Sequence, residues 1–277
     1  MRNCRCSSRT VRRFGRIPKV KTITSKDNPV LKAAGKLHTR KGRAETGAVL
    51  VAGSKLIAEA VNAGFTVERV FINAGALERG EAAAGEYTNE TALEEKLFRG
   101  LAGTVTPQPY LAVVKKPEHN GDGSPPMRIL VLDRIGDPGN AGTMTRSALA
   151  AGLDGLWCLK GTADIFSDKA LRASAGAVFH LPVREGLAAG ECIDLAADLG
   201  LRLLVCSAGG DDLYETDLTG GYALVIGSEG AGTQEMFLEA ADTVIGIPMA
   251  EKAESLNAAA AAAVVMYEAL RQSRAER

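Results

Sequence analysis

The chain has 277 residues, and its 33 lysines and arginines are matched by 33 aspartates and glutamates, so the formal charge is zero. That balance gives no whole-chain signature of a nucleic-acid binder, and a composition of 46% apolar and 24% charged residues excludes a wholly disordered chain. The longest apolar run, ten residues from Ala258 to Tyr267, is half of the roughly 20 that a membrane-crossing helix needs, which excludes that class.

The length suits one large or two medium domains, each able to bury a core without staples. Five cysteines with no C-x-x-C pair point to reduced thiols in a cytoplasmic setting. The three histidines, His38, His119 and His180, lack ligand spacing, so no metal is expected. The zero charge hides a polarity: Arg2, Arg5, Arg9, Arg12, Arg13, Arg16, Lys19 and Lys21 give residues 1–21 a charge of +8 with no acid. The remainder carries −8. The first 21 residues have no apolar periodicity and read as a disordered basic arm. Such an arm suits an RNA contact, an organellar transit segment, or an inert extension or misassigned start.

From 22 to 114 the pattern is that of a small α/β domain. Asn28-Pro29 opens a helix over Val30 to Leu37, and Lys32, Lys36, Arg40, Lys41 and Arg43 form a basic set along it and just after it. They suit RNA phosphate as well as a plain solvated helix face. A strand follows over Ala48 to Val51, a helix over Ser54 to Ala63 closed by Gly64, and a strand over Val67 to Ile72. Residues 115–126 are polar, rich in glycine and proline and without periodicity, and read as a linker between domains.

From 127 to 277 short apolar runs alternate with helical segments. Strands are predicted at Ile129 to Asp133, Gly155 to Leu159, Phe179 to Val183, Leu203 to Cys206, Tyr222 to Gly227 and Val244 to Pro248. Helices are predicted at Thr143 to Ala151, Asp168 to Ala177, Glu191 to Leu199, Gln234 to Ala241 and Leu256 to Gln272. Continuous apolar strands are buried on both faces, so the spacing predicts a parallel sheet of about six strands covered by helices. In such sheets ligands bind beyond the carboxyl ends of the strands. Three loops there carry polar residues: Arg134 to Arg146, with Asn140; Gly227 to Thr233, with Glu229; and Met249 to Asn257, with Ser255. The glycine loop is spaced G-x-x-G-x-G, and about 20 residues on stands Ile247 where a dinucleotide fold places an acid, so a Rossmann oxidoreductase is excluded.

These loops, in this order, resemble the three motifs of the SpoU (TrmH) branch of the SPOUT RNA 2′-O-ribose methyltransferases. The first, N-x-G-x-x-x-R, is met by Asn140, Gly142 and Arg146. The second, G-x-E-G-x-G, is met by Gly227, Glu229, Gly230 and Gly232. The third, I-P-M followed by S-L-N and an apolar helix, is met by Ile247, Pro248, Met249, Ser255, Leu256 and Asn257. Lys169 to Ala177 is similar to the family's intermediate segment. The N-terminal part resembles, more loosely, the L30e-like substrate-binding domain often attached, with Ala52-Gly53 where Glu-Gly is common.

The resemblance implies a C-terminal domain tied in a trefoil knot, a homodimer, and S-adenosylmethionine held at Gly227, Gly230, Ile247, Met249 and Leu256. It implies methyl transfer to a ribose 2′-hydroxyl served by Arg146, Asn140, Glu229, Ser255 and Asn257, with ribosomal RNA favoured as the substrate by the attached domain. Transfer RNA, or RNA binding without catalysis, are the alternatives. Guanidinium is always protonated, so Arg146 is expected to orient the target nucleotide through its planar donor fork.

Overall fold

The computed structural model describes residues 20–85, 87–116, 127–252 and 255–275. The expected arm, apart from Val20 and Lys21, and the expected linker from 117 to 126 lie outside these residues.

In the N-terminal part, β1 (Thr22–Ile23) precedes α1 (Pro29–Lys36) and α2 (Arg40–Thr46). The Asn28 side chain accepts the Val30 N–H and Pro29 sits at the first helical position, which starts α1 where the sequence suggests. The basic segment after α1 forms a second helix, because Thr39 caps it at Gly42 and Gly47, at φ 64°, ends it. Then come β2 (Ala48–Ala52), α3 (Ser54–Asn62), β3 (Thr66–Asn73), α4 (Ala74–Glu78), β4 (Glu90–Leu93), α5 (Glu95–Ala102) and β5 (Tyr110–Lys115). The strands form a mixed five-stranded sheet ordered β1-β4-β3-β5-β2.

The C-terminal part runs β6 (Arg128–Asp133), α6 (Pro138–Ala150), β7 (Gly155–Leu159), α7 (Asp168–Ser174), β8 (Val183–Leu187), α8 (Ala189–Asp198), β9 (Arg202–Asp212), β10 (Tyr222–Gly227), α9 (Glu235–Ala240), β11 (Thr243–Gly246) and α10 (Ala258–Ala275). Its six strands are ordered β11-β9-β10-β6-β7-β8, and every pairing is parallel. Successive strand residues alternate between two cores. Ile129, Val131, Trp157 and Val225 pack with Cys192 and Ala196 of α8 and Phe237 of α9. Leu130, Leu132, Leu156 and Ile226 belong to the opposite core with Met144 and Ala148 of α6 and Val265 and Met266 of α10. Burial on both faces is what makes these strands read as unbroken apolar runs.

Several boundaries differ from expectation: β9 runs on to Asp212, past the expected end at Cys206, Lys115 of the expected linker ends β5, and two further differences bear on packing and on the site. Phe179 to Val183 is not a strand: Gly176, at φ 87°, follows α7 and leads into a 3-10 turn over Ala177–Phe179, and β8 starts only at Val183. The apolar run there is used by the other domain, since Phe179 meets Phe65 edge-on with ring centroids 5.0 Å apart. Helix α6 begins at Pro138, five residues before the expected Thr143, because the Asp137 carboxylate accepts the Asn140 N–H at 2.9 Å and Pro138 suits the first turn. The composition Asp-Pro-Gly-Asn reads as a turn, yet here it is a cap and a helical first turn.

The two parts share a core. Val49, Val51 and Ile72 lie in one apolar cluster with Leu130, Met144 and Phe179. Polar contacts surround it. Arg43, whose side chain is 10% exposed, is ion-paired with Asp164, and Lys116 lies 3.6 Å above the Phe166 ring and 3.6 Å from Glu185. Burial is the main cause that pulls the Lys116 ammonium below its ordinary range, against the nearby Glu185. Arg43→Ala would leave the Asp164 carboxylate, 15% exposed, with only the Phe166 N–H as a donor among the described residues. It is expected to destabilise the protein by about 3 kcal/mol, read as a lower midpoint in urea.

Candidate functional site

The site is built where β6 and β10 end side by side, since Gly227 pairs in register with Asp133. Asp133 is fully buried and ties the two loops together. Its Oδ2 accepts the Gln234 backbone N–H at 2.8 Å, and its Oδ1 accepts from Gln234 Nε2 at 2.7 Å and Arg134 Nε at 3.1 Å. Arg134 adopts the left-handed conformation at φ 56° and donates from Nη2 to the Gly232 carbonyl at 3.4 Å. A carboxylate with three donors, two of them 101 residues away in sequence, fixes the base of the glycine loop.

The glycines of that loop have different employments. A Cβ on Gly227 would lie 2.3 Å from Thr233 N and 2.4 Å from Gly232 C, because Ser228 and Gly232 pair and fold the loop back over β10. Gly232 needs its φ of 64° for that reversal. Gly230 sits exposed at the tip with nothing within 4 Å of where a Cβ would be. Gly142, in α6, is a packing glycine: its Cβ would meet Ala170 O at 2.5 Å and Ala173 Cβ at 2.7 Å, so it sets the close approach of α6 to α7.

Three predicted residues, one from each motif, form a single hydrogen-bonded chain. Asn140 Nδ2 donates to Glu229 Oε1, and Asn257 Nδ2 donates to Asn140 Oδ1 at 3.3 Å. Asn257 Oδ1 also accepts the Ala259 N–H at 3.0 Å and the Ala260 N–H at 3.3 Å, capping α10. Asn140 has both a donor and an acceptor on one side chain, which is what a link between a carboxylate and a second amide requires. Beneath it, a hydrogen bond from Lys169, then the Asn140 N–H, hold the Asp137 carboxyl below its ordinary range.

Arg146 is exposed on the outward stripe of α6 with Thr143 and Ala150, and it makes no hydrogen bond or ion pair among the described residues. It therefore stands apart from the Glu229–Asn140–Asn257 chain. Between the loops lies a cleft of about 430 Å³, within the usual range for small-molecule sites. Of the predicted binding residues it is lined by Gly227, Ile247, Met249 and Leu256, together with Glu229, Ser255 and Asn257. Met249 and Leu256 are 40% and 43% exposed, an apolar pair facing solvent at the site. Gly230 does not line it.

Sequence reasoning missed a fourth segment, Cys206, Ser207 and Ala208 on β9, and also Thr233. The parallel register brings Cys206 beside Ile226, so the segment after the predicted strand end is the neighbour of the glycine loop. Strand order is the only signal that could have found it. Thr233 Oγ1 is buried and has no hydrogen-bond partner.

Of the basic set, Lys32 and Lys41 are largely exposed: Lys32 donates to Asp27 at 2.7 Å, Lys41 lies 3.8 Å from Glu45, and Arg40 reaches Glu185 at 3.5 Å. Lys36 lies in the last turn of α1. Arg43 does not share their exposure: it is engaged between the domains, with Asp164 and, at 2.5 Å, the Leu37 carbonyl.

Comparison with known proteins agrees with the order of these loops. Residues 127–267 match the SpoU rRNA Methylase family, and residues 28–112 match the MRM3-like substrate binding domain. The chain is 34% identical, over 90% of its length and 98% of the relative's, to the 23S rRNA (guanosine(2553)-2′-O)-methyltransferase RlmP of Bacillus subtilis. It is 33% identical, over 93% and 94%, to the 23S rRNA (uridine(2479)-2′-O)-methyltransferase of Streptomyces viridochromogenes. Among solved structures, AviRb of Streptomyces viridochromogenes in complex with AdoMet superposes with a TM-score of 0.77 at 30% identity, covering 88% of this chain and 98% of that one. The AdoMet-bound rRNA methyltransferase of Sinorhizobium meliloti gives 0.76 at 28%, covering 91% and 98%. With both parts matched and one residue of each motif joined in a single hydrogen-bonded chain, the chain belongs to the SpoU rRNA methylase family.

Proposed function

We propose that this chain transfers the methyl group of S-adenosylmethionine to a ribose 2′-hydroxyl of 23S-type ribosomal RNA. The observation that carries the reading is the Glu229–Asn140–Asn257 chain at the mouth of the 430 Å³ cleft, in a protein whose near-full-length relatives are named for that reaction.

The residues present fit the cofactor. Ile247, Met249 and Leu256 offer apolar surface to a purine, Gly227 lets backbone groups approach, and Thr233 keeps a buried hydroxyl without a partner. When bound, the cofactor supplies a methyl group already activated by the sulfonium charge, which leaves as a neutral thioether. The protein must then place the 2′-oxygen in line and find a home for its proton. Arg146 is assigned to the nucleotide: its free donor fork matches a phosphate and neighbouring sugar oxygens, and the RNA phosphate helps to accept the proton. Asn140, Glu229 and Asn257 hold the three loops in register at the cleft, and Ser255 flanks the cleft on the same rim. Lys32, Lys36, Arg40 and Lys41 are assigned to RNA phosphates, which give position and affinity without reading sequence.

The further parts of the reading are a homodimer, which suits an Arg146 left exposed beside the cleft to be covered by a second copy, a knotted C-terminal domain, as in the family, and a cytoplasmic location. The free thiols of Cys158 and Cys192, buried and unpaired, accord with the last. No helix among the described residues is long and apolar enough to cross a membrane.

Incubation with methyl-labelled cofactor and 23S, 16S and transfer RNAs tests the function. Label in 23S RNA that resists alkaline cleavage at one ribose is the expected result. Normal cofactor and RNA binding with no label on any of them would leave a non-catalytic RNA binder.

A further inference from the structure

We infer that Thr233 is a cofactor-binding residue whose hydroxyl makes, to bound S-adenosylmethionine, the hydrogen bond it lacks in the free protein. The inference rests on the cofactor reading above and goes beyond it, because it assigns affinity to a side chain outside the motif residues.

Thr233 lines the cleft, yet its Oγ1 is buried and turned in on β10: it lies 2.5 Å from where a Cβ on Gly227 would stand. Its polar neighbours on the glycine loop are engaged. Ser228 Oγ accepts the Ala231 N–H at 3.3 Å and reaches the Gly232 carbonyl at 3.5 Å, Glu229 holds Asn140, and Gln234 is bound through both backbone and side chain to Asp133. None of these groups can turn to satisfy Thr233 without breaking a bond that shapes the loop. Among the described residues it is the one buried side-chain oxygen or nitrogen without a partner. Buried polar groups are nearly always hydrogen-bonded, so a lone exception in a ligand cleft asks for a ligand atom.

A turn of about 120° about χ1 moves a threonine between staggered wells and carries its hydroxyl into the place its methyl group held. That rotation presents Oγ1 to the cleft, where a hydroxyl can serve as donor or acceptor. The free protein thus carries an unmet bond that the bound state fulfils, and the difference appears as affinity.

The test compares wild type with Thr233→Val, which keeps the shape and removes the hydroxyl, and Thr233→Ser, which keeps the hydroxyl. S-adenosylhomocysteine is the probe, with Kd read by calorimetry and Tm of the free protein by scanning calorimetry. Thr233→Val is expected to bind about tenfold more weakly while the free protein melts ~2–4 °C higher, since the orphaned group is gone. Thr233→Ser is expected to stay within about threefold of wild type. Opposite signs in the two readouts separate a withheld hydrogen bond from mere packing damage, which would lower both affinity and Tm. A Thr233→Val protein with wild-type Kd overturns the inference alone, whereas a wild type that binds no probe overturns the cofactor reading with it.

Discussion

Replacing Arg146 with alanine is expected to lower the rate of methyl transfer by about 10²- to 10³-fold while leaving cofactor affinity within twofold. The asymmetry follows from where the side chain stands. Arg146 is exposed, has no partner among the described residues, and lies outside the cleft lined by Gly227, Ile247 and Leu256. Its loss breaks no bond of the free protein, so stability should change by less than about 0.5 kcal/mol. An exposed arginine without a structural partner among the described residues is available to the substrate. Arg146→Lys should recover part of the rate at most, because an ammonium keeps the charge and loses the planar fork. Single-turnover methylation under saturating RNA, beside calorimetric cofactor binding, measures both quantities. Near-normal turnover in Arg146→Ala with both ligands bound would remove the assigned role.

The second large effect is expected at Gly227, and it falls on binding. The added methyl of Gly227→Ala would meet Thr233 N at 2.3 Å, Gly232 C at 2.4 Å and Thr233 Oγ1 at 2.5 Å. Two of the three are backbone atoms of the same tight reversal, so no flexible side chain can move aside. The loop must lift from β10, and Asp133, which grips Gln234 one residue beyond, resists that movement. The strain is therefore concentrated in residues 228–233, of which Ser228, Glu229, Gly232 and Thr233 line one wall of the cleft. Cofactor affinity should fall by more than about tenfold, with a stability loss of ~1–3 kcal/mol, the usual cost of an overpacked site. Equilibrium dialysis with labelled S-adenosylmethionine and urea unfolding check the two figures. Wild-type affinity in this variant would mean that the loop wall is not part of the binding site.

Both expectations depend on residues that are legible in the sequence, and the reasons are physical. Asn140, Glu229 and Asn257 stand at the ends of runs whose apolar continuity marks parallel strands or the helices they feed, and parallel topology places such ends on one edge. Other features need three dimensions. The start of α6 is hidden because Asp137-Pro138-Gly139-Asn140 has turn composition, and only the Asp137 cap shows it to be helical. The apolar Phe179 has the character of a strand residue and is instead packed on Phe65 of the other domain. Arg43 resembles its basic neighbours, but the partner that employs it, Asp164, is 121 residues away. Cys206 to Ala208 reach the cleft through the β9–β10 register, and strand order leaves no trace in local sequence.

The Glu229–Asn140–Asn257 chain also has a consequence for folding. Its two bonds close loops of 89 and 117 residues, and the last of them anchors the first turn of α10, whose Ala262, Val265 and Met266 complete the core beneath. Contacts so distant in sequence form late, after the sheet has brought the ends of its strands together. Assembly of this edge is thereby tied to docking of the final helix, because the Asn257 that caps α10 is also the residue that bonds Asn140. The bonds that tie the three motifs to one another thus also tie the site to the last helix of the chain.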